Sequence, residues 1–96
     1  MKKGYVYILF NERNGTLYTG VTSNLIKRVW QHKEGIIEGF TKRYNVHQLG
    51  YYEIHDNMND AIIKEKQIKD GTRKNKIKLI ESKNPYWIDL YNEIVR

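Results

Sequence analysis

The longest unbroken apolar run of the chain, Tyr5 to Phe10, is rich in aromatic and β-branched side chains and predicts a buried strand. A turn cluster, Asn11 to Gly15, follows, and its Asn14-Gly15 step is a strong hairpin signal. Thr16 to Thr19 therefore reads as an antiparallel return strand, ended by Gly20. The period then changes. Thr22, Ser23 and Asn24 offer capping oxygens, and Leu25 to Lys33 carries a helical repeat with Leu25, Val29 and His32 on one stripe. Gly35 stops that helix. Gly35 to Asn45 reads as a loop, and Val46 to Ile54 as a third strand with Leu49, Tyr51 and Glu53 on one face.

Helices dominate the second half. Asp56 or Asn57 caps a helix running to about Lys69, which Asp70-Gly71 closes. Thr72 caps another over Arg73 to Glu81. Asn84-Pro85 opens a last one, with proline at the first helical position and Trp87, Ile88, Leu90, Tyr91 and Ile94 on its apolar side. Trp30 and Tyr86 read as core in preference to an association surface. The order β-β-α-β-α-α-α predicts one α+β domain over residues 1–96, a small antiparallel sheet with helices packed against it.

Composition narrows the classes. Seventeen Lys and Arg against 11 Asp and Glu leave a formal charge of +6, which makes a polyanion the first partner to consider. The absence of cysteine excludes a disulfide scaffold, a thiolate zinc site and a cysteine nucleophile. Lys2 and Lys3 precede the apolar run as in a signal peptide. That run is far short of the roughly 20 residues a membrane span needs, and no cleavage pattern follows it. The chain reads as cytoplasmic, with no membrane partner.

Four features carry candidate chemistry. Tyr7 and Tyr18 lie on strands that the hairpin sets side by side, where they share a face; tyrosine also suits any half-buried strand. Arg28 and His32, spaced i,i+4, project from the same side of the first helix, so His32 either lines a site or is a structural histidine. Glu65 falls between Ala61, Ile62 and Ile68 in the apolar stripe of its helix. A carboxylate facing a core is costly unless it is paired, with Arg28 or a lysine, or binds a cation. Finally, a basic stretch from Lys64 to Lys83 is either a solvated surface or, with Tyr44, Tyr51, Tyr52 and Trp87 for stacking, a surface for phosphates and bases.

Taken together, Tyr5-Val6-Tyr7, ten residues, Tyr18-Thr19-Gly20, then Arg28 and Glu65 resemble the GIY-YIG nuclease superfamily. The chain is most similar to its small single-domain members, which resemble the N-terminal nuclease module of UvrC proteins. It departs from the pattern in having Tyr5 and Val6 for Gly and Ile, Thr19 for the middle Ile, and Val21 where the repair nucleases carry Lys. The resemblance implies a three-stranded antiparallel sheet flanked by helices. It implies a metal-dependent DNA endonuclease of low sequence specificity, linked to DNA repair or processing. Glu65 would hold Mg²⁺, with Mn²⁺ as a substitute, and Arg28 would sit on a non-bridging phosphate oxygen. Tyr7 or Tyr18 would take the proton from water, its acidity raised by Arg28, a lysine or the metal, and His32 would relay that proton. Asn84 either matches a family asparagine or is a helix N-cap.

Lys27, Lys42, Arg43, Lys69 and Lys74 are the candidates for nucleic-acid contact. DNA is the expected partner, RNA stays open, and the protein is expected to be a monomer or weak homodimer. The competing reading is a non-catalytic nucleic-acid-binding module on the same fold, or one that needs a partner for activity.

Overall fold

The computed structural model describes residues 2–96. Strand β1 (Gly4–Phe10) runs through the middle of a three-stranded antiparallel sheet, between β2 (Leu17–Thr22) and β3 (Gln48–His55). Its unbroken apolar sequence has a simple cause, since both faces are covered. Val6, Ile8 and Phe10 face helices α3 (Met58–Asp70) and α4 (Arg73–Lys83), where Ala61, Ile68 and Ile80 close the core with Trp87. Tyr7 and Leu9 face α1 (Leu25–Lys33), packed against Leu25, Val29, Val46 and Leu90. The β1–β2 turn forms at the expected place. Asn14 takes φ 59°, and the Asn11 carboxamide oxygen accepts from the N–H groups of Glu12 and Thr16.

Two close contacts fix the layers. A Cβ on Gly4 would lie 2.4 Å from the Ala61 Cβ, so only glycine lets α3 come this near the first strand. Asp89 ties the C-terminal segment to the other face. Its carboxylate pairs with Lys33 and accepts from the N–H groups of Leu49 and Tyr91, at 2.9 and 3.1 Å. Burial works against that charge. Lys33 and the two amides outweigh burial and hold the carboxyl below its ordinary range.

Several expectations are corrected. β2 does not end at Gly20, which pairs with Tyr7 in the middle of the ladder; the strand continues to Thr22. The register of β3 shifts between Tyr51 and Leu49, leaving Gly50 as an extra residue. This bulge sends Leu49 to the α1 side and Tyr51 to the α3–α4 side, so the two do not share a face. The loop after α1 contains a one-turn helix, α2 (Phe40–Arg43). Trp30 and Tyr86 are exposed (45% and 83%) rather than core.

No helix starts at Asn84-Pro85. Asn84 is instead the residue that ends α4, its N–H bonded to Ile80 O. Its buried carboxamide donates to the carbonyls of Gly50 and Ile88 and accepts from the Ile88 N–H. The chain then turns through Trp87, at φ 55°, setting the indole edge-on to Phe10 at 5.3 Å. Helix α5 is only the single turn Tyr91–Ile94. The Asn84 side chain thus holds the α4 terminus, the β3 bulge and the last loop together. Asn84→Ala leaves buried carbonyls without a donor and is expected to lower the unfolding free energy by about 2–3 kcal/mol. Urea denaturation would show this as a lower midpoint at an unchanged slope.

Candidate active site

The hairpin sets Tyr7 opposite Gly20 and Leu9 opposite Tyr18, with Tyr7 and Tyr18 on the α1 side of the sheet. A Cβ on Gly20 would lie 2.5 Å from the Tyr7 ring and hydroxyl, so the ring occupies the space that a side chain on β2 would need. Helix α1 begins on the Asn24 cap, whose side chain accepts from the Lys27 N–H, and buries Leu25, Val29 and His32. The same stripe brings His32 Nε2 to 3.2 Å from the Tyr7 hydroxyl. His32 Nδ1 in turn stands 3.0 Å from Thr41 Oγ1 on α2. Tyr7, Tyr18 and His32 form a compact aromatic group, with ring centroids 5.6–6.4 Å apart.

Burial dominates the electrostatics of Tyr7 and His32. Burial pushes the Tyr7 hydroxyl well above its ordinary range, and Tyr18 adds to the shift. The Arg28 charge acts the other way but does not reverse it; the Glu65 charge adds again to the rise. Tyr7 is therefore not made acidic by Arg28, because loss of water outweighs the guanidinium. His32 is lowered to about 4, first by burial and then by the Arg28 charge. At neutral pH both partners are uncharged, so the chain Tyr7–His32–Thr41 can run with the tyrosine hydroxyl donating to Nε2 and Nδ1–H donating to the threonine oxygen.

Helix α3 buries Ala61, Glu65 and Ile68 on one stripe, as the periodicity predicts, although Ile62 turns toward solvent. Glu65 is 8% exposed, and its carboxylate accepts from Lys69 Nζ at 2.8 Å, one turn on. That bond strengthens Lys69's hold on its proton. Lys69 Nζ also stands 6.0 Å from the centre of the Tyr18 ring. Among the described residues, no three His, Asp or Glu side chains converge. The donor set thus fits a hard, hydrated cation held by one carboxylate, and does not fit a cage of three or more protein ligands.

The other predicted positions fall into distinct places. Lys27 lines a cleft together with Arg28. Lys42 pairs with Glu38, and Arg43 lies 5.7 Å from the Tyr44 ring centre. Lys74 is exposed in the first turn of α4, whereas Arg73 and Lys76 line a cleft with Tyr18, Phe40 and Lys69. Of the four aromatics expected to stack, Tyr51 and Trp87 are buried, their polar atoms bonded to Glu53 and Glu81, and Tyr52 is half-buried. Tyr44 is exposed and belongs to a ladder of rings, Tyr18–Phe40–Tyr44, with centroids 6.4 and 5.0 Å apart. Phe40 and Thr41 were missed by the pattern. The only signal for them is an aromatic residue just before the basic pair Lys42-Arg43.

Two tyrosines on paired strands, an arginine and histidine on the first helix and a buried glutamate on α3 are thus gathered on a three-stranded α+β scaffold. The chain belongs to the GIY-YIG nuclease family, and the family model of the GIY-YIG catalytic domain matches residues 3–78. Such nucleases act on nucleic acids and generally depend on a divalent metal. Asn84 lies beyond the matched stretch.

Particular relatives carry the name UPF0213. The chain is 40% identical over 78 residues to a UPF0213 protein of Pediococcus pentosaceus, covering 81% of this chain and 82% of the relative. It is 40% identical over 80 residues to one of Clostridium perfringens, covering 83% and 85%. Its fold is similar to the solution NMR structure of a UPF0213 protein of Bacillus halodurans, with a TM-score of 0.54 and 28% identity over 88% of this chain and 89% of that one. Among the described residues, no helix is long and apolar enough to cross a membrane.

The neutral, buried state of His32 makes stability depend on pH. The unfolded chain takes up a proton on this ring near pH 6.5, the folded chain only near pH 4. The unfolded state therefore binds more protons in that window, and stability falls as pH drops through it, by about 3 kcal/mol from this residue. Urea midpoints measured between pH 7 and pH 4 should show the loss in the wild type, and the contribution of this ring should vanish in His32→Gln.

Proposed function

We propose that this chain is a divalent-metal-dependent endonuclease that hydrolyses DNA phosphodiester bonds with little sequence specificity, in repair or processing of DNA. The observation that supports it most is the buried Glu65 carboxylate, joined through Lys69 to the ring of Tyr18, which packs beside the hydrogen-bonded pair Tyr7 and His32. Residues 1–96 act as one nuclease unit in this reading.

Each side chain then has a definite task. Glu65 is the residue that holds Mg²⁺, or Mn²⁺ in its place. When bound, the ion supplies Lewis-acid charge to the phosphate and to the departing oxygen. Lys69 leaves the Glu65 carboxylate and turns to the phosphate, which its half-exposed position allows. Arg28 sets its planar fork on a non-bridging oxygen as negative charge develops there. The Tyr7 hydroxyl takes the proton of the attacking water while passing its own to His32 Nε2, so no buried tyrosinate has to persist. The incoming phosphate favours the imidazolium that results, and Thr41 keeps the ring oriented. Tyr18, beside Tyr7, orients the water.

One contact favours a second reading. The Glu65–Lys69 ion pair satisfies the carboxylate with no metal, as a pure binding module would require. Nicking of supercoiled plasmid separates the two. Wild type should cut with Mg²⁺ and not in EDTA. Glu65→Ala should bind DNA as before and cut nothing. Arg28→Ala should cut about 10²–10³-fold more slowly with its fold intact. Binding by wild type with no metal-dependent cleavage would establish the binding module instead.

A further inference from the structure

Arg28 has a second neighbourhood. Besides acting on Tyr7, it lines an open cleft of about 580 Å³ between the start of β1 and the N-terminal half of α1. Lys2, Lys3, Tyr5, Asn24 and Lys27 stand around it with Arg28, and no Asp or Glu lines it. Four cations therefore face one space. Several other positive groups have partners: Lys33 has Asp89, Lys42 has Glu38, Lys69 has Glu65, and Arg73 and Lys76 donate to backbone carbonyls. Among the described residues, no carboxylate lies within ion-pair distance of Lys2, Lys3, Lys27 or Arg28.

The start of α1 adds to the same field. It carries no acidic residue in its first turn, so its positive end is not offset. Crowding four like charges costs free energy in the isolated protein, and nothing in the packing of β1 or α1 requires lysine at positions 2, 3 or 27, whose side chains are exposed. An anion recovers that cost. The size of the cleft is that of a pocket for a nucleotide-sized group rather than a single small ion. Arg28 is common to the cleft and to the Tyr7 cluster, so a strand lying in one reaches the other.

We propose that this cleft is a phosphate subsite, which holds a backbone phosphodiester next to the one presented to Tyr7 and Arg28. The inference rests on the reading that the chain engages a nucleic-acid strand. Lys2 and Lys3 are then positioning residues. They act as point charges on phosphate and set the register of the strand without reading its bases.

The test uses the full chain in EDTA, with a fluorescent oligonucleotide and anisotropy read across a salt series. Lys2→Ala/Lys3→Ala should weaken binding about tenfold or more at low salt and make the log–log salt slope shallower by about 1.5–2. Lys64→Ala/Lys78→Ala removes the same charge from the α3–α4 groove and should change both far less. With Mg²⁺ present, the Lys2/Lys3 variant should raise KM with kcat nearly unchanged. Equal losses in the two double variants would overturn the subsite and leave only net charge. Inorganic phosphate is titrated against the wild type while the Lys27 and Arg28 amide resonances are followed. Saturable shifts there, with oligonucleotide binding indifferent to Lys2 and Lys3, would overturn it in favour of a free-phosphate site. Cleavage by wild type with an unchanged salt slope in the Lys2/Lys3 variant would remove the subsite and keep the nuclease. A lysine-dependent slope with no cleavage would keep the subsite and remove the catalytic reading.

Discussion

The whole site depends on one large ring resting on bare backbone. Tyr7 sits in the most buried strand of the protein, and Gly20 opposite it leaves just enough room for the ring. A hydroxyl so placed needs a partner, because an unpaired buried polar group costs about 1–3 kcal/mol. His32 provides it, and His32 in turn needs Thr41. The need for polar satisfaction therefore runs from β1 through α1 to the single turn of α2. It gives that turn, too short to hold itself together, a reason to be where it is.

Burial also decides the protonation states, and here the comparison of opposing effects matters more than the inventory of charges. Arg28 is next to Tyr7 and favours its ionised form, yet the hydroxyl remains strongly protonated. Arg28 and burial act in the same direction on His32, and the ring stays neutral. A resting pair of neutral groups joined by one hydrogen bond is suited to moving a proton and poorly suited to storing one. Glu65 is the complementary case. Its carboxylate is held inside the fold by the half-exposed ammonium of Lys69, and in the proposed nuclease reading a divalent cation takes that place.

Much of this could be read from the chain because its strongest patterns are local. The run Tyr5 to Phe10, the Asn14-Gly15 turn, the Leu25/Val29/His32 stripe and the misplaced carboxylate at Glu65 each depend on a few neighbouring residues, and the structure puts all of them close to where they were expected. What periodicity missed depends on distant partners. A strand pattern has no means of registering the extra residue at Gly50, which exists only relative to Ile8 and Leu9 on β1. Asn84-Pro85 has every local mark of a helix start. It fails as one because the Asn84 carboxamide is engaged by Gly50, 34 residues away, and by Ile88. The balance at Tyr7 is likewise non-local: burial by the packed layers outweighs the Arg28 guanidinium one helix away.

The surface around the site also bears on how a strand would be selected. Sequence is read by hydrogen bonds to base edges from an element that enters a groove. Here α1 is packed against the sheet along Leu25 and Val29, α3 is packed along Ala61 and Ile68, and neither stands clear of the body of the protein to enter one. What faces outward near Tyr18 is the pair of exposed rings Phe40 and Tyr44, with Arg43 beside them, and around Arg28 a set of lysines. Ring faces stack on any base and ammonium groups pair with any phosphate. In the proposed nuclease reading, selection would then rest on the shape and accessibility of the strand rather than on the order of its bases, and the positive field that draws the strand in is the same one that places its phosphate at Arg28.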